Sequence, residues 1–197
     1  MSFLKVLNLR QHPFNRNVAT LQVGSFLGNF IQAIVGIFLA RILQPELFGE
    51  YALAIGMASL ASIILGSGIQ DAAANLLSSS YARKDAEKTK DVLAFMVKIT
   101  FFAAFLTILI LPFLPFISRA LYNDFWIGVY AAVIVIASIF SVSFFSLSTM
   151  ALQVVGKIKG MMALTVSDQI AMYGFALAFT AAGFGVLGSV SGHLVGA

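Results

Sequence analysis

A chain of 197 residues that is 60% hydrophobic and only 10% charged is far from soluble proteins, where charged residues make up about a quarter, and a water-soluble globular domain is excluded. The net charge of +4 lies in the connections between apolar runs, where it sets membrane orientation and does not point to nucleic acid. The absence of cysteine excludes a disulfide scaffold and Cys-based metal sites.

The apolar runs predict an all-α polytopic membrane protein. Five transmembrane helices are expected at about 18–40, 51–70, 92–111, 127–147 and 161–181, with a truncated sixth at 187–197. The criterion is length, since about 20 helical residues rise about 30 Å, the thickness of the hydrocarbon core. Ahead of the first span, residues 1–17 carry Lys5, Arg10 and Arg16 without an acid and read as a basic cytoplasmic tail. His12 beside Pro13 reads as an exposed tail residue. The first apolar run is too long for a cleavable signal, and no small-residue cleavage site follows it.

The first span hides a polar stripe. Gln22, Ser25, Asn29 and Gln32 recur at helical spacing and share one face. Amides facing lipid are costly, so this face is expected to meet other helices or water. Glue between helices and the wall of a cavity both remain open. Gly24, Gly28 and Gly36 would let a neighbour approach closely.

The connection that follows is short. Arg41 suits the negative end of the first helix, and Pro45 cannot continue that helix. Glu46 and Glu50 suit the start of the next, and Phe48 and Tyr51 are rings of the interfacial kind. The run Ala40, Arg41, Leu43, Pro45, Phe48, Gly49, Tyr51 and Leu53 resembles the first interhelical segment of bacterial polysaccharide and oligosaccharide flippases, in the multidrug/oligosaccharidyl-lipid/polysaccharide transporter superfamily. That family usually has Gly before the Pro; here Gln44 stands there, and the preferred helix-terminating residue is lost. The resemblance continues less specifically through Gly68, the basic loop near Lys84 and the Gly-rich end.

In the second span Ser67, Asp71, Asn75 and Ser78 share a face, and Asp71 is expected near the far interface as a hydrated carboxylate. The mixed-charge stretch 78–91 reads as a solvated loop. Lys98 lies roughly 9 Å inside the third span, from which its long stem can snorkel. Pro112 and Pro115 are expected to end that span, and Tyr122 and Trp126 suit an interfacial belt. The fourth span sets Ser138, Ser141, Ser146 and Ser148 among phenylalanines, which suits tight packing in lipid. Asp168 lies about 10 Å into the fifth helix, too deep for its short side chain to snorkel far. The last apolar segment is about half the length of a crossing, and the sequence reads as truncated.

Lys and Arg number nine on the side of the tail and the even-numbered loops and two on the other, which predicts a cytoplasmic N-terminus. There is no phosphate-binding loop and no metal-ligand cluster, and His12 and His193 are far apart, so neither an enzyme nor a cofactor is expected. Asp71, Lys98 and Asp168 come from three spans near the cytoplasmic leaflet. They are either separate interfacial charges or a cluster at the mouth of a cavity.

The resemblance implies more. Flippases of that family are two six-helix lobes arranged as a V around a central cavity. They pass a sugar–diphosphate head across the bacterial inner membrane while its polyprenyl tail stays in lipid. This chain would match the first lobe, residues 18–197, with the C-terminal lobe missing. Its partners would be the bilayer, the polyprenyl-linked sugar and that second lobe. The polar faces of the first two spans would line the cavity, with Lys98 or Arg41 as partners of the diphosphate and Asp168 coupling protons or sodium. A cation-coupled multidrug exporter of the same superfamily is the alternative. Several of those carry a carboxylate in the first helix, where this chain has amides and no acid. A structural membrane subunit without transport activity is the remaining alternative.

Overall fold

The computed structural model describes residues 13–66 and 69–196; of these, the side chains of 13–16, 64–66, 69–71 and 73 are not described. Outside short turns every described residue is helical, as a chain in lipid requires when each backbone N–H must find a partner within its own segment. Helix α1 is Pro13–Gly66 and α2 is Ile69–Ala82. Helix α3, Ala86–Ile110, passes through a tight turn at Leu111–Phe113 into α4, Leu114–Tyr122. Helix α5, Phe125–Phe140, is joined to α6, Leu147–Val154, by a wide π-helical turn at Ser141–Ser146. Helix α7, Ile158–Phe179, leads through a second wide turn, Thr180–Phe184, to α8, Gly185–Gly196.

The all-α expectation holds, and the count of spans is corrected. Four helical stretches are long and apolar enough to cross a membrane, at 17–63, 86–122, 125–154 and 158–196, rather than five with a truncated sixth. The first and last run to 47 and 39 residues, and both contain a residue at positive φ, Gln44 in one and Gly183 in the other. Neither break opens into a loop, so helicity runs across both, although Arg41, Glu46 and Glu50 flank the first.

The chain nevertheless reverses at Gly183. Gly188, Gly192 and Gly196 of α8 lie against Phe179, Ala176 and Met172 of α7, one rising as the other falls, so the two helices are antiparallel. A Cβ on any of these glycines would fall on α7 backbone, the close approach that small residues four apart permit in lipid. Thr180 and Ser189 join their hydroxyls across this interface at 2.7 Å.

The connections are shorter than expected. The solvated loop at 78–91 is a turn at 83–85, because Asp85 caps α3 by accepting from the Lys88 N–H at 3.0 Å. Helix α3 ends at Ile110, just before Pro112, while the apolar stretch continues. Pro112 sits in the tight turn and Pro115 in the first turn of α4, where a missing N–H costs nothing, so the apolar stretch runs on to Tyr122. Asp124 caps α5 through the Trp126 N–H at 2.7 Å.

The main core gathers at the end of the bundle where α1 breaks. Leu39, Leu43, Tyr51 and Ala54 from both arms of α1 meet Leu114, Ile127, Ala131, Val135, Val186 and Val190. A smaller cluster of Leu77, Met96 and Met150 lies toward the opposite end. Much of the remaining apolar surface is exposed, including Phe26, Phe30, Leu60, Phe101, Phe102, Phe105 and Phe116. A soluble monomer does not sustain such a surface, and the chain is a multi-pass membrane protein.

Candidate functional site

Helix α1 presents three faces before its break. Gly24, Gly28, Val35 and Leu39 are buried, with Gly24 against Met162 and Gly28 against the Gln169 amide of α7. Gly36 has open space around it, so it is not a contact. Val23, Phe26, Phe30 and Ile37 form an exposed apolar face. Gln22, Ser25, Asn29 and Gln32 are also exposed, and they flank the packed row. The amide stripe is therefore not glue between helices of this chain.

Asp168 is half-buried on α7 and has no hydrogen-bond or ion-pair partner among the described residues. One turn before it, Thr165 lines a cleft of about 460 Å³ together with Asn75, Ser146, Thr149, Gln153 and Met161. Thr149 and Thr165 donate to their own helices' carbonyls at 3.0 Å, leaving the oxygen lone pairs toward the cleft. Beside Asp168, the buried Oε1 of Gln169 lacks a partner among the described residues.

Lys98 is exposed on α3, on the side away from buried Met96, Thr100, Ala103 and Thr107 and in line with Phe101, Phe102 and Phe105. The structure does not pair it with Asp168. Ser67 and the side chain of Asp71 lie outside the described residues. Arg41 is exposed at the end of the bundle that holds Glu46, Glu50 and Asp124, where Glu50 feels the charges of Asp124 and Glu46. The basic turns are at the other end, where Asn17 lies beside Gly156, Lys157 and Lys159.

The serines of the fourth span bond locally. Ser138 and Ser148 donate to Ile134 and Phe144 carbonyls one turn back, at 3.0 and 2.9 Å. Such bonds satisfy hydroxyls without joining helices.

One constellation escaped the sequence. Tyr51 is buried rather than interfacial, and its hydroxyl meets Nε2 of His193 at 2.8 Å across 142 positions of sequence. The Tyr173 ring stands edge-on to the same imidazole with centroids 5.8 Å apart. Three segments thus converge on one buried histidine, 7% exposed. The signal was present, since a histidine inside an apolar segment is as expensive as the aspartate at 168.

A family model described as polysaccharide biosynthesis protein matches residues 14–197. No curated protein and no solved structure matches the chain.

Proposed function

The chain belongs to the polysaccharide biosynthesis protein family, and from that premise we propose that it forms a lobe of a flippase for polyprenyl-diphosphate-linked oligosaccharide in the bacterial inner membrane. The observation that carries the reading is the exposed stripe of Gln22, Ser25, Asn29 and Gln32. Amides left toward hydrocarbon would each lose hydrogen bonds, so the face belongs to a wet cavity. A second lobe opposite that face would complete the cavity wall. The uncharged amides suit sugar hydroxyls, which both donate and accept, better than a cationic drug.

In this reading the two breaks at Gln44 and Gly183 turn the chain back, giving five passes and the first part of another, with the N-terminus and the turns at 83–85 and 155–157 in the cytoplasm. Arg83, Lys84, Lys88, Lys90, Lys157 and Lys159 gather at that end, as the positive-inside rule asks. Asp168, without an ion-pair partner among the described residues, is the charged group of α7 that belongs to the driving-cation site. The protein moves its substrate without chemistry and is not an enzyme.

The test is complementation of a flippase-deficient strain by the full-length protein. Asn29→Leu with Gln32→Leu is expected to abolish rescue while the amount in the membrane stays unchanged. Asp168→Asn, which keeps shape and removes charge, is expected to lower transport roughly tenfold or more. Full rescue by the double leucine variant would sink the cavity assignment. Labelling of Ser79→Cys by an impermeant reagent in intact cells would overturn the orientation.

A further inference from the structure

The buried histidine answers a question the transport reading leaves open, namely which cation drives the lobe. His193 sits on α8 beside Gly192, which lies against Ala176 of α7, so the imidazole is deep within the bundle. From α1 it receives the Tyr51 hydroxyl, and from α7 the edge of Tyr173. Tyr173 lies within electrostatic reach of both Asp168 and Tyr51. Along α7 the step from Asp168 to Tyr173 is about 7 Å. The third helix packed on α8 is α5, whose buried share of the common core is Ile127, Ala131, Ile134 and Val135, none of which titrates. Tyr130 of α5 instead faces Glu50 and Asp124 at the rim.

We propose that His193, Tyr51 and Tyr173 form a proton-binding site inside the lobe, linked to Asp168, and that the driving cation is therefore the proton. The coupling role rests on the transport reading; the proton site does not. A neutral imidazole always keeps one ring nitrogen with a lone pair, whichever tautomer meets Tyr51. Loading adds one proton from water to that nitrogen and gives an imidazolium, and the charge of Asp168 reaches this cluster by way of Tyr173. Release returns the proton to water and the ring to neutrality. A hard metal cation is a poor alternative occupant, because it takes about six oxygen ligands and the cluster offers two phenol oxygens and an imidazole. Protonation also changes the bond to Tyr51, since an imidazolium can only donate. The load is thus felt where α8 meets the turn after Gln44.

The His193 imidazole can be assigned by nitrogen NMR in nanodiscs as the signal lost in His193→Gln. In the full-length protein His193 is expected to take up one proton, and Asp168→Asn and Tyr51→Phe should each move the midpoint by roughly tenfold in proton concentration. A His193 that never protonates while the protein is folded, or a midpoint that both variants leave in place, overturns the site. In proteoliposomes, an imposed proton gradient should drive flipping of a labelled polyprenyl-diphosphate oligosaccharide, with His193→Gln slower by about tenfold. Equal flipping by His193→Gln, or drive by a sodium gradient at equal pH, overturns the coupling. No flipping under either gradient with the titration intact counts against the flippase reading and supports the proton site as a separate property.

Discussion

The polypeptide leaves helical geometry twice at one end of the bundle, at Gln44 and at Gly183, and does so by opposite means. Gln44 has φ 64° and ψ 167°, a region that glycine alone populates readily, and it carries a side chain there. Around it Leu39, Leu43, Tyr51 and Ala54 are all buried, at 1%, 2%, 5% and 0% exposure. Packing on both sides of the break holds a backbone that the residue itself disfavours. Gly183, at φ 94°, and Gly185, at φ 57°, have nothing near the place a Cβ would occupy. There the backbone turns at glycines with open space around them, and packing resumes at Val186. One break is imposed by the core and the other is written in the local sequence.

Four substitutions would break or sharpen that contrast. The largest effect is expected from Gly192→Leu, whose side chain must enter the α7 backbone at Ala176. Overpacking of this kind costs about 3 kcal/mol or more, and little folded protein should survive size-exclusion of heated, detergent-solubilised samples. Leu43→Ala removes packing beside Gln44. In lipid the transfer term largely falls away and lost contacts remain, so about 2 kcal/mol is expected as a lower melting midpoint. An unchanged midpoint would show that the core does not hold the first break. Gly183→Val tests the other side, with about 1–2 kcal/mol lost to the left-handed backbone alone. Finally, Gln44→Gly should raise the midpoint by roughly 1 kcal/mol, because it removes strain while the packing stays. A glycine that destabilises there would mean the Gln44 side chain makes a contact worth more than the strain.

The sequence revealed most about the features that depend on length and composition. The ranges 92–111 and 127–147 lie inside the apolar helical stretches 86–122 and 125–154, because an apolar run of that length has few other solutions in lipid. For the prolines position decides their meaning: Pro112 follows the end of α3 at Ile110, and at the start of α4 the ring of Pro115 fits, so the apolar stretch runs on. The departure at Gln44 was visible as a missing glycine, and the structure places the strain on that residue. Of the candidate site, the shared face of Gln22, Ser25, Asn29 and Gln32 was legible from spacing. That it points away from the rest of the lobe was not, since periodicity gives a face without saying what covers it. The pairing of Tyr51 with His193 was beyond reach for a different reason. Nothing local couples two residues on opposite ends of a chain.

That separation has a consequence for assembly. The ladder between α7 and α8 joins neighbours in sequence, with Thr180 and Ser189 only nine positions apart, and can close as soon as the hairpin leaves the ribosome and enters the membrane. The hydrogen bond from Tyr51 to His193 must wait for the rest of the lobe to be synthesised. Until then the first arm pair carries its strained turn at Gln44 without one of the contacts that fix it, and Tyr51 holds an unmatched hydroxyl. Helix α8 therefore supplies the partner of Tyr51 late in synthesis. An insertion chaperone that shelters polar groups would be needed longest at the oldest part of the chain rather than the newest.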